Sequence, residues 1–258
     1  MSLVYVYAIA RADGARPDGL RGMDDGAVRT ERAGPLVAFV SDVPDAEFAE
    51  VPLNANLADM TWLAPRAVRH QEVNAALAAA VDPLVPLSFG TVFRDRAGVE
   101  RMLRERAAEV GPRLDALQGK AEWIAVVRRD EAAARAALES ASEPLRALRA
   151  EIEAAAPGRG YLITRRLDET TRQELRASDA GAVAAAVEAL EHAGGRLFRE
   201  PLVEDAGGGM IARFSVLAGR DHGAALGRAG LAAWSARGYA LELSGPWPAY
   251  RFATVNEG

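Results

Sequence analysis

The sequence predicts an α+β protein made of two ferredoxin-like, βαββαβ-type units in tandem. Three observations predict it. The order strand, loop or helix, hairpin, helix, strand occurs twice along the chain. A Gln118-Gly119 break separates the two occurrences. The 258 residues, 50% apolar and 26% charged, suffice for two globular cores. The expected domains are 1–118, with an added C-terminal helix, and 119–258, ending in an aromatic tail.

Leu3 to Ala10, rich in Val, Ile and Tyr, reads as a strand stopped by Arg11, Asp13 and Gly14. Gly14 to Gly26, with Pro17 and four glycines, reads as a loop with at most one helical turn. Ala27 to Arg32 and Leu36 to Ser41 form a hairpin through Ala33-Gly34-Pro35. A helix follows from Asp59 to Val81, because Leu63, Ala67, His70, Val73, Leu77 and Val81 recur at three- and four-residue spacings. Asp82-Pro83 ends it, and Leu84 to Phe89 reads as a short buried strand. Asp95 caps a second helix, which Gly111-Pro112 interrupts before it reaches Leu117.

In the second half Ala121 to Arg128 is a strand. Asp130 caps a helix from Glu131, and Ser142 restarts it ahead of Pro144. Pro157-Gly158 stops that helix, and Gly158-Arg159-Gly160 reads as a loop. Tyr161 to Ile163 fits either strand or helix, and a short, glycine-interrupted helix around Val183 to Leu190 ends at Gly194-Gly195. Arg196 to Val203 and Met210 to Leu217 form a hairpin about Gly207-Gly208-Gly209. Asp221 to Arg237 is helical, and Tyr239 to Leu243 is the last strand.

Composition removes several kinds of chemistry. Without cysteine there is no disulfide, thiolate nucleophile, thiolate-bound zinc or iron–sulfur cluster. Lys120 is the one lysine, and its context supplies no GK[ST] phosphate loop. A net charge of −5 without a basic run argues against nucleic acid as a partner. No apolar run approaches the ~20 residues that span a bilayer, and the start lacks a basic n-region, so a cytoplasmic protein without a lipid membrane partner is expected. No cofactor, metal or catalytic residue is expected. His70, His192 and His222 have no second His three or four residues away.

His70 lies on an apolar helix stripe. The favoured reading is a core-edge histidine hydrogen-bonded to backbone. The competing reading, a small-substrate enzyme or ligand-sensing module, requires His70, Glu72 and Arg94 to converge in a pocket. The tail Gly245-Pro246-Trp247-Pro248-Ala249-Tyr250-Arg251-Phe252 places three rings in eight residues. It is expected to leave the ladder, run extended and fold back, with Trp247 mostly buried as a clamp between the domains; the alternative is a docking peptide for another protein.

These residues carry a family resemblance. The strand Val4-Tyr5-Val6-Tyr7, Trp62 with His70 and Glu72, the run Phe89-Gly90-Thr91-Val92-Phe93, the pair Glu122-Trp123, and the ending Gly245, Pro246, Trp247, Pro248, Tyr250 and Phe252 resemble, in order, the motifs of the gas vesicle protein family GvpL/GvpF. The resemblance spans the chain from residue 4 to 252. It implies a non-enzymatic minor gas vesicle component, in the cytoplasm and on the gas vesicle, whose motif residues are structural or partner-binding. It implies as partners the hydrophobic shell protein and other accessory gas vesicle proteins. Shell binding is expected through an apolar patch or a sheet edge, with the strand near Ala27 to Arg32 as the candidate edge, because Pro201 blunts an edge of the second domain.

Overall fold

In the computed structural model, residues 2–14, 19–202, 208–228 and 232–253 are described. The strands are β1 (Ser2–Arg11), β2 (Arg29–Ala33), β3 (Leu36–Pro44), β4 (Leu84–Pro86), β5 (Val92–Phe93), β6 (Lys120–Arg129), β7 (Arg196–Arg199), β8 (Met210–Gly219) and β9 (Tyr239–Trp247). The helices are α1 (Asp45–Phe48), α2 (Glu50–Asn56), α3 (Met60–Ala80), α4 (Arg96–Leu117), α5 (Glu131–Ala141), α6 (Glu143–Ala154), α7 (Pro157–His192), α8 (Gly223–Arg228), α9 (Ala232–Ser235) and α10 (Tyr250–Ala253). The chain forms two compact units, Met1–Glu122 with Pro246–Gly258, and Trp123–Gly245.

The first unit is built on a five-stranded sheet of order β2-β3-β1-β4, with β5 beside β4 on the same edge of β1. Each pairing is antiparallel. Strand β1 is central, which explains its unbroken apolar run: Val4 through Ala10 are all buried. A register shift between Val6 and Ala8 lets β1 pair with β3 along its whole length. Tyr5 and Tyr7, two apart on one face, pack in a cluster with Phe39, Phe48, Val73 and Leu77. Helix α4 crosses β1 to β4 and buries Val99, Leu103, Val110 and Leu114. Its cap is Asp95, whose carboxylate accepts from Gly98 N–H at 2.8 Å.

The crossover from β1 to β2 carries one 3-10 turn, Met23–Asp25, among its described residues. Pro112 does not interrupt α4, which continues through it. The Leu84 to Phe89 strand stops at Pro86, and β5 follows after a turn at Gly90, whose φ of +84° suits a residue without a Cβ.

The second unit carries a four-stranded sheet of order β7-β8-β6-β9. Strands β7 and β8 pair antiparallel from Arg196↔Leu217 to Arg199↔Phe214. Strand β7 ends at Arg199, short of the expected Val203: residues 200–202 are not strand, while Val203 and Gly207 lie outside the described residues. Asp130 and Ser142 cap α5 and α6 as the sequence predicts, accepting from Ala133 and Leu145 N–H.

The region expected to be loop and short helix is one 36-residue helix, α7, about 54 Å long at 1.5 Å per residue. Pro157 opens it rather than stopping its predecessor, since proline fits a first turn. Gly158 and Gly160 lie in its first turns, not in a loop. Gly181 lies mid-helix for a packing reason: a Cβ there would sit 2.6 Å from the Trp234 ring.

Strand β9 runs on through Gly245, Pro246 and Trp247, so the prolines do not end the ladder where expected. As an outer strand, β9 tolerates the missing proline donor. The tail also belongs elsewhere than expected: from Pro246 onward it groups with the first unit, not with the 119–258 range.

Candidate functional site

Five motif residues of the first unit, Tyr5, His70, Phe89, Gly90 and Tyr250, meet in one buried cluster. His70, 3% exposed on α3, is its centre. Its Nε2 lies 3.2 Å from the Leu87 carbonyl and 3.0 Å from the Asn74 amide nitrogen. Nδ1 shares a hydrogen bond with the Tyr5 hydroxyl at 2.9 Å, and that hydroxyl accepts from Gly90 N–H at 3.1 Å. Strand β1, helix α3 and the Gly90 turn are thereby tied together through one ring. The Asn74 amide, one helical turn beyond His70, donates to the Tyr250 hydroxyl of α10 at 2.9 Å. Phe89 packs edge-on against Tyr5 and His70, with centroids 6.0 and 5.7 Å apart.

Burial sets the protonation of this network. It holds the His70 imidazole down at about 4, so the ring is neutral near pH 7. It pushes Tyr5 well above the usual phenol range and Tyr250 up to about 12. Tyr7 is raised for the same reason, and its oxygen accepts from Met23 N–H at 2.7 Å and meets Ser41 Oγ at 2.7 Å. None of these groups is poised to exchange a proton at neutral pH.

Trp62 stands beside this network. Its Nε1–H donates to Glu47 Oε2 at 2.7 Å, and Arg66 donates to the same oxygen at 2.7 Å. The Arg66 guanidinium lies 4.4 Å from the Trp62 ring centroid. Glu122, 4% exposed, accepts from Arg251 N–H at 2.9 Å. Arg113 donates to the Ala253 carbonyl at 3.3 Å. The segment from Tyr250 to Ala253 is therefore held by Asn74, Glu122 and Arg113.

The remaining motif positions are dispersed. Thr91 Oγ1 donates to the Ser88 carbonyl at 2.8 Å, closing the turn that Gly90 makes. Phe93 is half-buried opposite Val4. Trp123 is buried in the second unit. Gly245, Pro246 and Trp247 are exposed in β9, while Pro248 is buried and Phe252 half-buried. Trp247 is 45% exposed, so the expected burial of its ring is not found; Pro248, Ala249 and Ala253 are the buried residues of the tail.

His70, Glu72 and Arg94 do not converge. Glu72 faces solvent and pairs with Arg69 at 3.1 Å, Arg94 is exposed, and His70 is enclosed. Positions two apart on a helix diverge, which separates His70 from Glu72. Among the described residues no group of three or more His, Asp or Glu side chains could hold a metal ion, and no helix is long and apolar enough to cross a membrane. Asn74, Glu47 and Arg66 were not singled out from the sequence. For Asn74 the signal was available, since it lies four residues after His70.

The family model described as gas vesicle synthesis protein GvpL/GvpF matches residues 3–254. The chain belongs to this family. It is 40% identical over 134 residues to gas vesicle protein L of Streptomyces sp. (strain CB03234), an alignment covering 52% of this chain and 50% of that protein. The aligned region thus spans about half the length of that curated relative. The fold is similar to the crystal structure of gas vesicle protein GvpF from Anabaena sp. PCC7120, with a TM-score of 0.74 at 16% identity and full coverage of both chains. It is also similar to GvpF from Microcystis aeruginosa, with a TM-score of 0.65 at 18% identity, covering 98% of this chain and 99% of that one. The family and the mixed α+β architecture with two antiparallel sheets agree with the expectations from sequence.

Proposed function

We propose that this chain is a minor gas vesicle component that binds the hydrophobic shell protein and assists vesicle assembly. It holds the shell protein back from aggregation until the wall grows, and it acts without catalysis. The observation that carries this reading is the family match over residues 3–254. The buried, neutral His70 network supports a structural rather than chemical role for the most distinctive motif residues. In this reading each unit is a ferredoxin-like variant. The protein works in the cytoplasm and at the gas vesicle, with the shell protein and other accessory gas vesicle proteins as partners.

The physical need is plain. A subunit made for a gas-facing wall exposes apolar surface, which self-associates in water unless covered. The test is co-production of the tagged chain with the shell subunit. Affinity capture retains the shell subunit, and the soluble fraction of that subunit rises with the amount of tagged chain. Capture no better than that by an unrelated tagged protein, with unchanged solubility, refutes the reading.

A further inference from the structure

The sheet edge singled out from the sequence turns out to be guarded. Strand β2 is terminal in its sheet, yet it carries Arg29, Glu31 and Arg32. Glu31 is 3% exposed and pairs with Arg29 at 3.3 Å and Arg96 at 2.7 Å. An inward-pointing charge on an outer strand is a device that discourages strand addition.

The opposite side of the same unit offers a different surface. Between α1–α2 and β5 lies a groove of about 950 Å³, with Leu3, Phe48, Leu53 and Val92 among its lining residues. Val51, on its wall, is 80% exposed. Leu57 and Met60, 40% and 67% exposed, follow Val51 within ten residues along the chain. The rim carries Asp45 and Glu50 against the single base Arg94. Glu47, between these two acids in sequence, pairs with Arg66 at 2.7 Å. Among the described residues, no ion pair engages Asp45 or Glu50.

We infer that this groove is the docking surface for an apolar segment of the partner that carries a basic side chain at its flank. The apolar floor supplies the affinity, and the unpaired acids Asp45 and Glu50 select the basic flank. The inference rests on the proposed shell-binding role and names the face that performs it.

The test uses the full chain, with the shell subunit as probe. Val51→Glu places a charge on the groove wall at an 80% exposed position, so it leaves the fold intact, as its melting curve checks. Val68→Glu, at a 58% exposed valine of α3 that does not line the groove, is the control. Val51→Glu weakens capture of the shell subunit about tenfold or more, and Val68→Glu does not. Asp45→Lys with Glu50→Lys weakens it as well, and raised salt weakens wild type more than this double variant. If wild type captures the shell subunit and Val51→Glu captures it equally, the groove is wrong while the shell-binding reading stands. If wild type captures none, that reading falls first. Two synthetic apolar peptides, one flanked by arginine and one by glutamate, then test the groove alone: preference for the arginine peptide, lost in Val51→Glu, supports it, and equal binding overturns it. Concentration-dependent dimerisation of wild type that Val51→Glu abolishes would assign the groove to a second copy and overturn the partner.

Discussion

His70 combines two properties that rarely coexist on a surface helix: full enclosure and hydrogen bonds to two other parts of the fold. Its ordinary value of 6.5 applies in the unfolded chain, while burial holds it at about 4 in the folded one. Between those values the unfolded chain binds more protons, so stability falls as pH drops through that window and is complete above it. The loss attributable to this residue amounts to about 3 kcal/mol between pH 6.5 and 4. His70→Gln should therefore show a shallower decline than wild type over that range in urea unfolding. Parallel declines would mean that other groups dominate. His70→Ala should lower stability at pH 7 by about 2 kcal/mol or more, because it leaves the Tyr5 hydroxyl and the Leu87 carbonyl each short of a buried partner.

At the scale of elements, the caps were legible and the continuities were not. Asp59, Asp95, Asp130 and Ser142 each precede a helix that they cap, because a short polar side chain beside an N-terminus satisfies local geometry. The course of α7 was hidden for the opposite reason. Gly158, Gly160 and Gly181 read as breaks when only propensity is considered, and at Gly181 the glycine answers to packing against the distant Trp234. Strand β5 has two residues and no periodicity to detect. The polar network was half legible: His70 and Tyr250 stand out as motif residues, but 180 positions of sequence separate them, and only the fold makes them neighbours of Asn74. Glycine substitutions separate propensity from packing. At Gly160 nothing lies within 4 Å of an added Cβ, so Gly160→Ala should raise stability by about 0.5–1 kcal/mol. At Gly181 the Trp234 ring must move, so Gly181→Ala should lower it despite the better helix propensity. Thermal unfolding of the two variants beside wild type checks both signs; a gain at Gly181 would show that Trp234 relocates freely.

At the scale of the molecule, the second unit is an insertion into the first. The chain leaves the first unit after Glu122 and returns at Pro246, and β6 and β9, which carry those crossings, are neighbours in one sheet. Deleting Trp123 to Gly245 and bridging the ends with a short glycine-rich linker should leave a folded first unit with its Tyr250 contacts. Truncation after Ser244 should instead destabilise that unit, because Glu122 loses the Arg251 N–H and Asn74 loses the Tyr250 hydroxyl, at about 1 kcal/mol or more for each buried hydrogen bond lost. Hydrogen exchange of β1 and β3 reports both cases. Protection kept by the truncated chain would show that the tail is dispensable to the first unit.

The same insertion imposes a schedule on synthesis. Residues through Glu122 leave the ribosome first, but Tyr250 follows on the order of 10 s later at ordinary elongation rates. Throughout that interval the nascent first unit carries His70 and Glu122 without the segment that finally covers them. The second unit, uninterrupted in sequence, has no such wait. The half of the chain that is made first is therefore the half that is finished last.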